Sequence, residues 1–289
     1  MIRSLSALFA LIAPAAAALQ SPKVYLNHVV IVVDSATYAA IGADRFLRNE
    51  LAGTQQLTTG GGGGATWTGT YVFGRNTYIE MFAPGGVAGA AGTGMISFGV
   101  ETQGALWPLR ARLTKALGGG GTDSLLRTRA KGKDEVPWFY AVSAPGVLSG
   151  SRFPTWVMEY YPDYQRLWDP SRPSDATNVR RATQTAGVYN PARLLEDIVA
   201  ITVAVDPKDR DRLETEARAY GYRVVKAADR LVLDGPDLHL TVLPVGPDRR
   251  GVTELRLKLQ RAPSVASEHR FGARSVLKVA RDGTATWSF

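Results

Sequence analysis

The residues of this chain best suited to chemistry are a histidine and a glutamate in two separate strand-like segments. His28 stands near the start of the apolar run "NHVVIVVD" (27–34), and Glu80 stands in the middle of "TYIEMFAP" (77–84). Imidazole and carboxylate groups can together hold a divalent metal ion or a polar group of a ligand. Both residues also have a structural interpretation, because a buried imidazole or carboxylate needs a hydrogen-bonding partner in any case.

Strand alternation predicts that these two residues meet. Every second side chain of a strand points to the same face, so His28 shares a face with Val30, and Glu80 shares one with Tyr78. We expect both faces to line one cavity, in which His28 and Glu80 interact directly or through one ion or water molecule. Such a contact would explain why a strongly apolar strand begins with a histidine.

Other candidate metal ligands are scarce. The chain of 289 residues has three histidines, His28, His239 and His269, and no cysteine. The lack of cysteine excludes disulfides, thiolate zinc sites and cysteine nucleophiles. The small number of histidines weighs against a dedicated metal enzyme.

The elements that must position His28 and Glu80 form an internal repeat. Residues 24–86 show the order strand, helix, strand, strand, strand, and residues 95–163 repeat that order. The last strand of the second unit, "TWVMEYYP" (155–162), echoes "TYIEMFAP". A repeat of this kind indicates two equivalent structural modules that form one domain.

The rest of the chain predicts a linker and a further pair of units. Residues 164–196 are rich in Pro, Asp, Arg and Ser, and we predict a linker with one short helix at "PARLLED". Residues 197–289 begin a third unit, whose helix is predicted between the Asp206 cap and Gly221. A truncated fourth unit follows, with one strand and a hairpin but no helix. The predicted fold class is therefore α+β.

Tandem units of this order, with a histidine in the first strand and a glutamate in the fourth, resemble the vicinal oxygen chelate superfamily. That superfamily includes glyoxalase I, extradiol dioxygenases and bleomycin-resistance proteins. The segments "YLNHVVIVVDSATY", "GRNTYIEMF" and "TWVMEYYP" are similar to an exported glyoxalase-like branch. The resemblance implies paired modules with curled, cup-shaped mixed sheets and helices packed outside. It also implies that strand residues can hold one divalent ion, which a substrate chelates through two neighbouring oxygens.

The resemblance places His28 and Glu80 at ligand positions of the first unit but leaves the second unit incomplete. The first strand of the second unit offers only Ile96, Phe98 or Val100 where a ligand is expected.

The fourth strand of the second unit contains Glu159, whose direction is uncertain from sequence. An ungapped match of the two echoing segments puts Met158 opposite Glu80. Glu159 would then point to the other face of the sheet, unless a bulge turned it back.

Two functions are open at this point, and a third alternative is that side chains fill the cup and the domain serves assembly only. The first is a protein that binds a small aromatic or amphipathic molecule in a sheet-lined cup, without a complete metal site or any cofactor. Its candidate ligand-binding residues are His28, Tyr71, Tyr78, Glu80 and Glu159. The second is a lyase, isomerase or dioxygenase that depends on one divalent metal ion bound by His28 and Glu80, with Glu159 as a candidate third ligand. The incomplete ligand set favours the first.

The N-terminal residues and the charge indicate where the protein works. Residues 1–18 combine a positive start, an apolar run and small residues before Ala18, which predicts a secretory signal peptide. We expect a periplasmic or secreted protein that is not held by a membrane after cleavage; an uncleaved membrane anchor is the alternative. The net charge is +8, but the basic residues are scattered among acidic ones, so a nucleic-acid partner is not expected.

Overall fold

The chain folds into two eight-stranded sheets. The computed structural model describes residues 22–60, 66–85, 89–131, 134–173 and 175–289. The first sheet contains strands β1 to β8, which are Tyr25–Val32, Gly53–Gly60, Thr66–Phe73, Tyr78–Phe82, Gly94–Gly99, Asp123–Lys131, Asp134–Ser143 and Thr155–Tyr160. The second contains β9 to β16, which are Leu195–Val205, Arg223–Lys226, Leu231–Asp234, His239–Pro244, Gly251–Leu259, Ser267–Phe271, Ser275–Val279 and Thr284–Ser288.

Helices α1 to α6 are Ser35–Ala43, Leu106–Ala116, Val147–Gly150, Pro162–Trp168, Arg181–Thr185 and Pro207–Tyr220. Helices α1, α2 and α6 connect the first strand of a unit to its remaining strands, α3 lies between β7 and β8, and α4 and α5 lie between the second and third units. A π-helical turn, Leu47–Leu51, follows α1. The predicted start and end of α6 are confirmed, because the Asp206 carboxylate accepts a hydrogen bond from the Asp209 amide (2.9 Å) and Gly221 adopts a left-handed φ of 82°.

Each sheet joins two consecutive units through their first strands. The first sheet has the order β2-β3-β4-β1-β5-β8-β7-β6, and the second has the order β10-β11-β12-β9-β13-β16-β15-β14. The central pairs, β1 with β5 and β9 with β13, are antiparallel. The predicted α+β class, with tandem modules that build mixed sheets, is confirmed.

The fourth unit has no helix among the described residues, and this reverses the direction of its last strand. In the other three units a helix returns the chain before a three-strand meander, so β4, β8 and β12 run parallel to β1, β5 and β9. In the fourth unit β13 leads directly to β14, β15 and β16, and β16 therefore runs antiparallel to β13. The predicted hairpin is β15 and β16; the sequence analysis missed β14, so this unit keeps all four strands.

One apolar core lies between the two sheets and contains helices α1, α2 and α6. Buried side chains of β1, α2, α6 and β16 belong to a single cluster, and α2 packs directly on α6. These three helices lie outside the cup, as predicted, and separate the two sheets. Helix α4 differs, because its Tyr164 packs with Met158 and Tyr160 in a second cluster on the other face of the first sheet.

The segment at 164–196 differs from its prediction. The expected helix at 191–197 is wrong, because Leu195 already pairs with Leu259, and Asp197 with Lys258, in the second sheet. Pairing with a long partner strand overrides the helical preference of a seven-residue stretch. The segment instead carries α5 and the end of α4, and its Val179 and Arg181 are buried.

One prediction concerns residues outside this description. The predicted signal peptide (1–18) lies outside the described residues. Among the described residues, no helix has both the length and the apolar character needed to cross a bilayer.

Candidate functional site

A β-bulge at the start of β1 brings two polar residues to the same face of the first sheet. The register between β1 and β5 shifts between Leu26 and His28, so Asn27 is the extra residue. His28 Nδ1 lies 2.8 Å from the Asn27 amide oxygen, and the Asn27 amide nitrogen donates to the Tyr160 hydroxyl (3.2 Å). With Asn27 accepting, Nδ1 carries the proton of the neutral imidazole and Nε2 keeps its lone pair.

His28 and Glu80 meet on this face. In the parallel pair of β1 and β4, His28 lies beside Tyr78 and Val30 lies beside Glu80. His28 Nε2 is 3.8 Å from Glu80 Oε1, and their side chains are 6% and 15% exposed. The imidazole also stacks on the Tyr78 ring, with 4.6 Å between centroids. The two residues therefore come from neighbouring strands and contact each other without crossing the cup.

Burial keeps both partners uncharged at neutral pH. It lowers the pKa of His28 to about 3, because an imidazolium would lose its hydration. It raises the pKa of Glu80 to about 8, with a weaker opposing effect from the Tyr78 hydroxyl. The pair is thus a neutral imidazole facing a protonated carboxyl group, and it is not an ion pair.

Aromatic side chains surround the pair on the same face. Tyr71 lies directly opposite Glu80 across β3 and β4, and Phe73 lies opposite Tyr78. We call Tyr71, Phe73, Tyr78 and Phe82 the aromatic wall; each of these side chains is 6% exposed. Neighbouring rings of the wall are 5.5 to 6.3 Å apart between centroids.

Gly69 makes room for the wall. A Cβ atom at Gly69 would lie 2.5 Å from the Phe82 ring, far inside van der Waals contact. The absence of a side chain in β3 at this position lets Phe82 lie flat over the strand.

The second unit supplies different residues at the equivalent positions. Ser97 lies beside Trp156, and Gly99 beside Met158, as His28 and Val30 lie beside Tyr78 and Glu80. The Trp156 indole donates to the Ser97 hydroxyl (2.5 Å), which is also 3.2 Å from the Met158 sulfur. The sequence analysis expected Ile96, Phe98 or Val100 at the position equivalent to His28, and the structure places Ser97 there. The two halves of the cup are therefore not chemically equivalent.

Glu159 is not part of this cluster. Its carboxylate accepts hydrogen bonds from the amides of Gly104 (2.7 Å) and Leu106 (2.9 Å) at the start of α2, on the opposite face of the sheet. Alternation alone accounts for this, since no register shift is seen in the pairing of β8. The candidate role of Glu159 in ligand binding therefore has no support from its position.

The donor set of the cup does not fit a complete metal site. His28 and Glu80 are two suitable ligands, but a hydroxyl (Ser97) and a thioether (Met158) face them from the second unit. Both are weak ligands for a divalent ion of the kind that carboxylate and imidazole prefer. Among the described residues, no group of three or more His, Asp or Glu side chains is arranged to hold a metal.

The other two histidines lie outside the first sheet. His239 Nδ1 is 2.5 Å from the Asp234 carboxylate at an exposed position of β12, and His269 stacks on Phe46 at 3.9 Å. Neither of them can add a ligand to His28 and Glu80.

The sequence analysis missed three polar members of the site, Asn27, Ser97 and Tyr160. Asn27 was not predicted, because a bulge breaks the alternation of side chains and cannot be inferred from the sequence of one strand alone. Ser97 and Tyr160 were missed for a similar reason: their partners are fixed by the register between strands of different units. The echo between the two fourth strands places Met158 opposite Glu80, although the sequence analysis did not name Met158 as a member of the site.

Comparison with solved structures shows similarity of fold at low sequence identity. A hypothetical protein from Staphylococcus aureus is 10% identical with a TM-score of 0.51, and the alignment covers 86% of this chain and 95% of that one. A xylose isomerase-like TIM barrel/4-hydroxyphenylpyruvate dioxygenase fusion protein is 14% identical with a TM-score of 0.41 and coverages of 79% and 34%. A mutant of 4-hydroxymandelate synthase from Streptomyces coelicolor is 12% identical with a TM-score of 0.37 and coverages of 79% and 64%.

Sequence comparison gives a family but no curated relative. No curated protein sequence matches the chain. The family described as "Family of unknown function (DUF5829)" matches residues 26–289, which include all sixteen strands except the first residue of β1. The chain therefore belongs to the DUF5829 family.

Proposed function

We propose that this protein binds a small, largely apolar molecule with an aromatic group in the cup of the first sheet, and that it does so without a complete metal site. The observation that carries this proposal is the aromatic wall around a small polar set, in which Asn27, His28 and Tyr160 are hydrogen-bonded and Glu80 lies 3.8 Å from His28. An apolar, ring-lined concavity with a few fixed polar groups is the usual form of a small-molecule site.

The second sheet supports this assignment by contrast. Its strand equivalent to β5 is β13, which presents Glu254, Arg256 and Lys258 as exposed side chains on the face away from the core. Lys258 is paired with Glu196 at 3.0 Å, as in a solvated surface. A ligand with an aromatic group would therefore enter the first cup and not the face of the second sheet.

Tryptophan fluorescence can test the proposal, because Trp156 stands 6.2 Å from His28. We expect a saturable change of its emission on titration with small neutral aromatics such as phenol, indole or 2-naphthol. Val30→Phe fills the cup beside Glu80 and should abolish the change, whereas Val232→Phe, on the exposed face of the second sheet, should not. Circular dichroism and thermal unfolding should first show that both variants are folded. Equal binding by Val30→Phe, or no saturable binding to the wild type, would contradict the proposal.

Elemental analysis can distinguish a metal-dependent enzyme from a protein that binds a small molecule without metal. The protein would be produced with zinc, manganese, nickel and iron supplied, and its metal content would be measured with and without His28→Ala. Our proposal predicts less than one bound metal ion per chain in both the wild type and His28→Ala. A stoichiometric ion in the wild type that is lost from the variant would support the lyase, isomerase or dioxygenase instead.

We further propose that the protein is exported and acts in the periplasm or outside the cell, with a small molecule as its partner and no nucleic acid. The order of a charged start, an apolar run and small residues in positions 1–18 supports export. Mass spectrometry of the mature N-terminus should find a chain that begins after Ala18. An intact Met1 in the cytoplasmic fraction would contradict it.

A further inference from the structure

We propose that the cup of the first sheet selects an organic cation, either a protonated amine or a quaternary ammonium group, which sits against Glu80 inside the aromatic wall. This rests on the proposed function and names the chemical class of its ligand. The juxtaposition that carries it is one nearly buried carboxyl group next to the side chains of Tyr71, Tyr78 and Phe82, without a lysine or arginine beside it among the described residues.

When Glu80 ionises, its carboxylate has no lysine or arginine counterion among the described residues. Among the described residues, the imidazole of His28 is the only basic group within 4 Å of the carboxylate. No lysine or arginine contributes to the titration of Glu80, and burial dominates it. An ionised carboxylate in such a place is costly unless a positive charge accompanies it. A cationic ligand would supply that charge.

His28 cannot supply it. Its imidazole is held between the Asn27 amide oxygen and the Tyr78 ring, and burial lowers its pKa to about 3. In addition, Nε2 at 3.8 Å is beyond hydrogen-bond distance of Oε1. The histidine therefore orients the site, and it leaves the carboxylate available to another partner.

The aromatic wall matches a diffuse positive charge better than a metal ion. Tyr71, Tyr78 and Phe82 lie next to Glu80 on three sides, either across the sheet or two residues along β4. Ring faces attract ammonium groups through their quadrupole, and this attraction is strongest where water is excluded. A metal ion would need at least one more strong donor, and the facing unit offers Ser97 and Met158.

The pH dependence of binding follows from the same geometry. A cation requires Glu80 to be ionised, so its affinity should fall about tenfold per pH unit below about pH 8, where the carboxyl group takes up its proton. The other titratable groups of the cup are His28 on β1, Tyr71 and Tyr78 on β3 and β4, and Tyr160 on β8. Burial lowers the pKa of His28 to about 3 and raises the pKa of Tyr78 and Tyr160, so these three groups stay neutral between pH 6 and 8.

A pair of isosteric probes tests the inference. Choline and 3,3-dimethylbutan-1-ol have nearly the same shape, but choline has a positively charged nitrogen where the alcohol has a neutral carbon. By calorimetry at pH 8.5, we expect the wild type to bind choline at least tenfold more tightly than the alcohol. Glu80→Gln should remove this preference, so that choline binds no more tightly than the alcohol. Glu254→Gln, which removes an exposed strand glutamate of the second sheet, should keep it.

The outcomes separate the inference from the proposed function. If neutral aromatics bind but choline shows no preference over the alcohol, the ligand is not a cation and the binding function stands. If the preference survives in Glu80→Gln, the carboxylate is not its source and the inference is wrong. If neither the two probes nor the neutral aromatics bind to the wild type, both proposals fail together.

Discussion

At the scale of single residues, His28 and Glu80 make opposite contributions to stability as pH changes. The pKa of Glu80 is raised from 4.5 to about 8, so the folded state binds more protons than the unfolded state in that window and stability falls as pH rises. The pKa of His28 is lowered from 6.5 to about 3, so stability rises with pH in that range. The two effects cancel between pH 4.5 and 6.5, and only Glu80 titrates between 6.5 and 8.

Urea unfolding at pH 6.5 and 8.0 should reveal this asymmetry. We expect the free energy of unfolding of the wild type to fall by up to about 2 kcal/mol over this interval, since each pH unit corresponds to about 1.4 kcal/mol. Glu80→Gln should remove most of the fall, and Glu254→Gln should not alter it. A wild type whose stability is flat across the interval would show that Glu80 is ionised in the folded protein at neutral pH.

Alternation was enough to bring His28 and Glu80 together from the sequence, because each lies in a regular strand with one buried face. It could not place Asn27, which depends on a bulge, or Ser97, which depends on how two units align. Both failures concern the register between strands, a property that no single strand encodes.

At the scale of elements, the start of α2 depends on a carboxylate from another strand. The residue at its N-cap, Ala105, offers no capping side chain, and Glu159 from β8 accepts the amides of Gly104 and Leu106 instead. This explains why a glutamate occurs next to Met158 in the echoing strand.

Removal of this cap should cost stability but not binding. We expect Glu159→Ala to lower the free energy of unfolding by about 1 kcal/mol, which is typical for loss of a helix cap, while the Trp156 titration with neutral aromatics is unchanged. Glu254→Ala, at an exposed position without a cap contact, serves as the control and should change stability by less than about 0.5 kcal/mol. Loss of ligand binding in Glu159→Ala would contradict this prediction and show that Glu159 contributes to the binding site.

Element types were predicted best where periodicity and caps agreed. The helix α6 had Asp206, Pro207 and Gly221 as start and stop signals, and all three are used. The short helix expected at 191–197 had only propensity in its favour, and pairing of β9 with β13 prevailed. The strand β14 had no strong pattern of its own, since only Phe271 of its five residues is buried.

At the scale of the whole molecule, the two sheets are joined by a core and by one buried arginine. Arg181 of α5 donates to Glu101 (2.9 Å), which follows strand β5 of the first sheet, and to Asp237 (2.7 Å), which belongs to the second half. It also donates to the Leu26 carbonyl and lies over the Tyr25 ring. The segment predicted as a linker therefore fastens the two halves together, which composition alone could not indicate.

Replacement of this arginine should weaken the whole protein and not one half of it. Arg181→Ala leaves the carboxylates of Glu101 and Asp237 without their cationic partner. Loss of one partner from a buried ion pair costs about 3 kcal/mol. The apolar cluster that contains α2 and α6 remains, so calorimetry should still show a single unfolding transition at a lower temperature. Arg230→Ala removes an exposed pair with Asp229 and should cost less than about 1 kcal/mol. Two separate transitions in the wild type would show that the halves unfold independently, and a loss in Arg181→Ala no larger than in Arg230→Ala would show that the buried arginine does not fasten them.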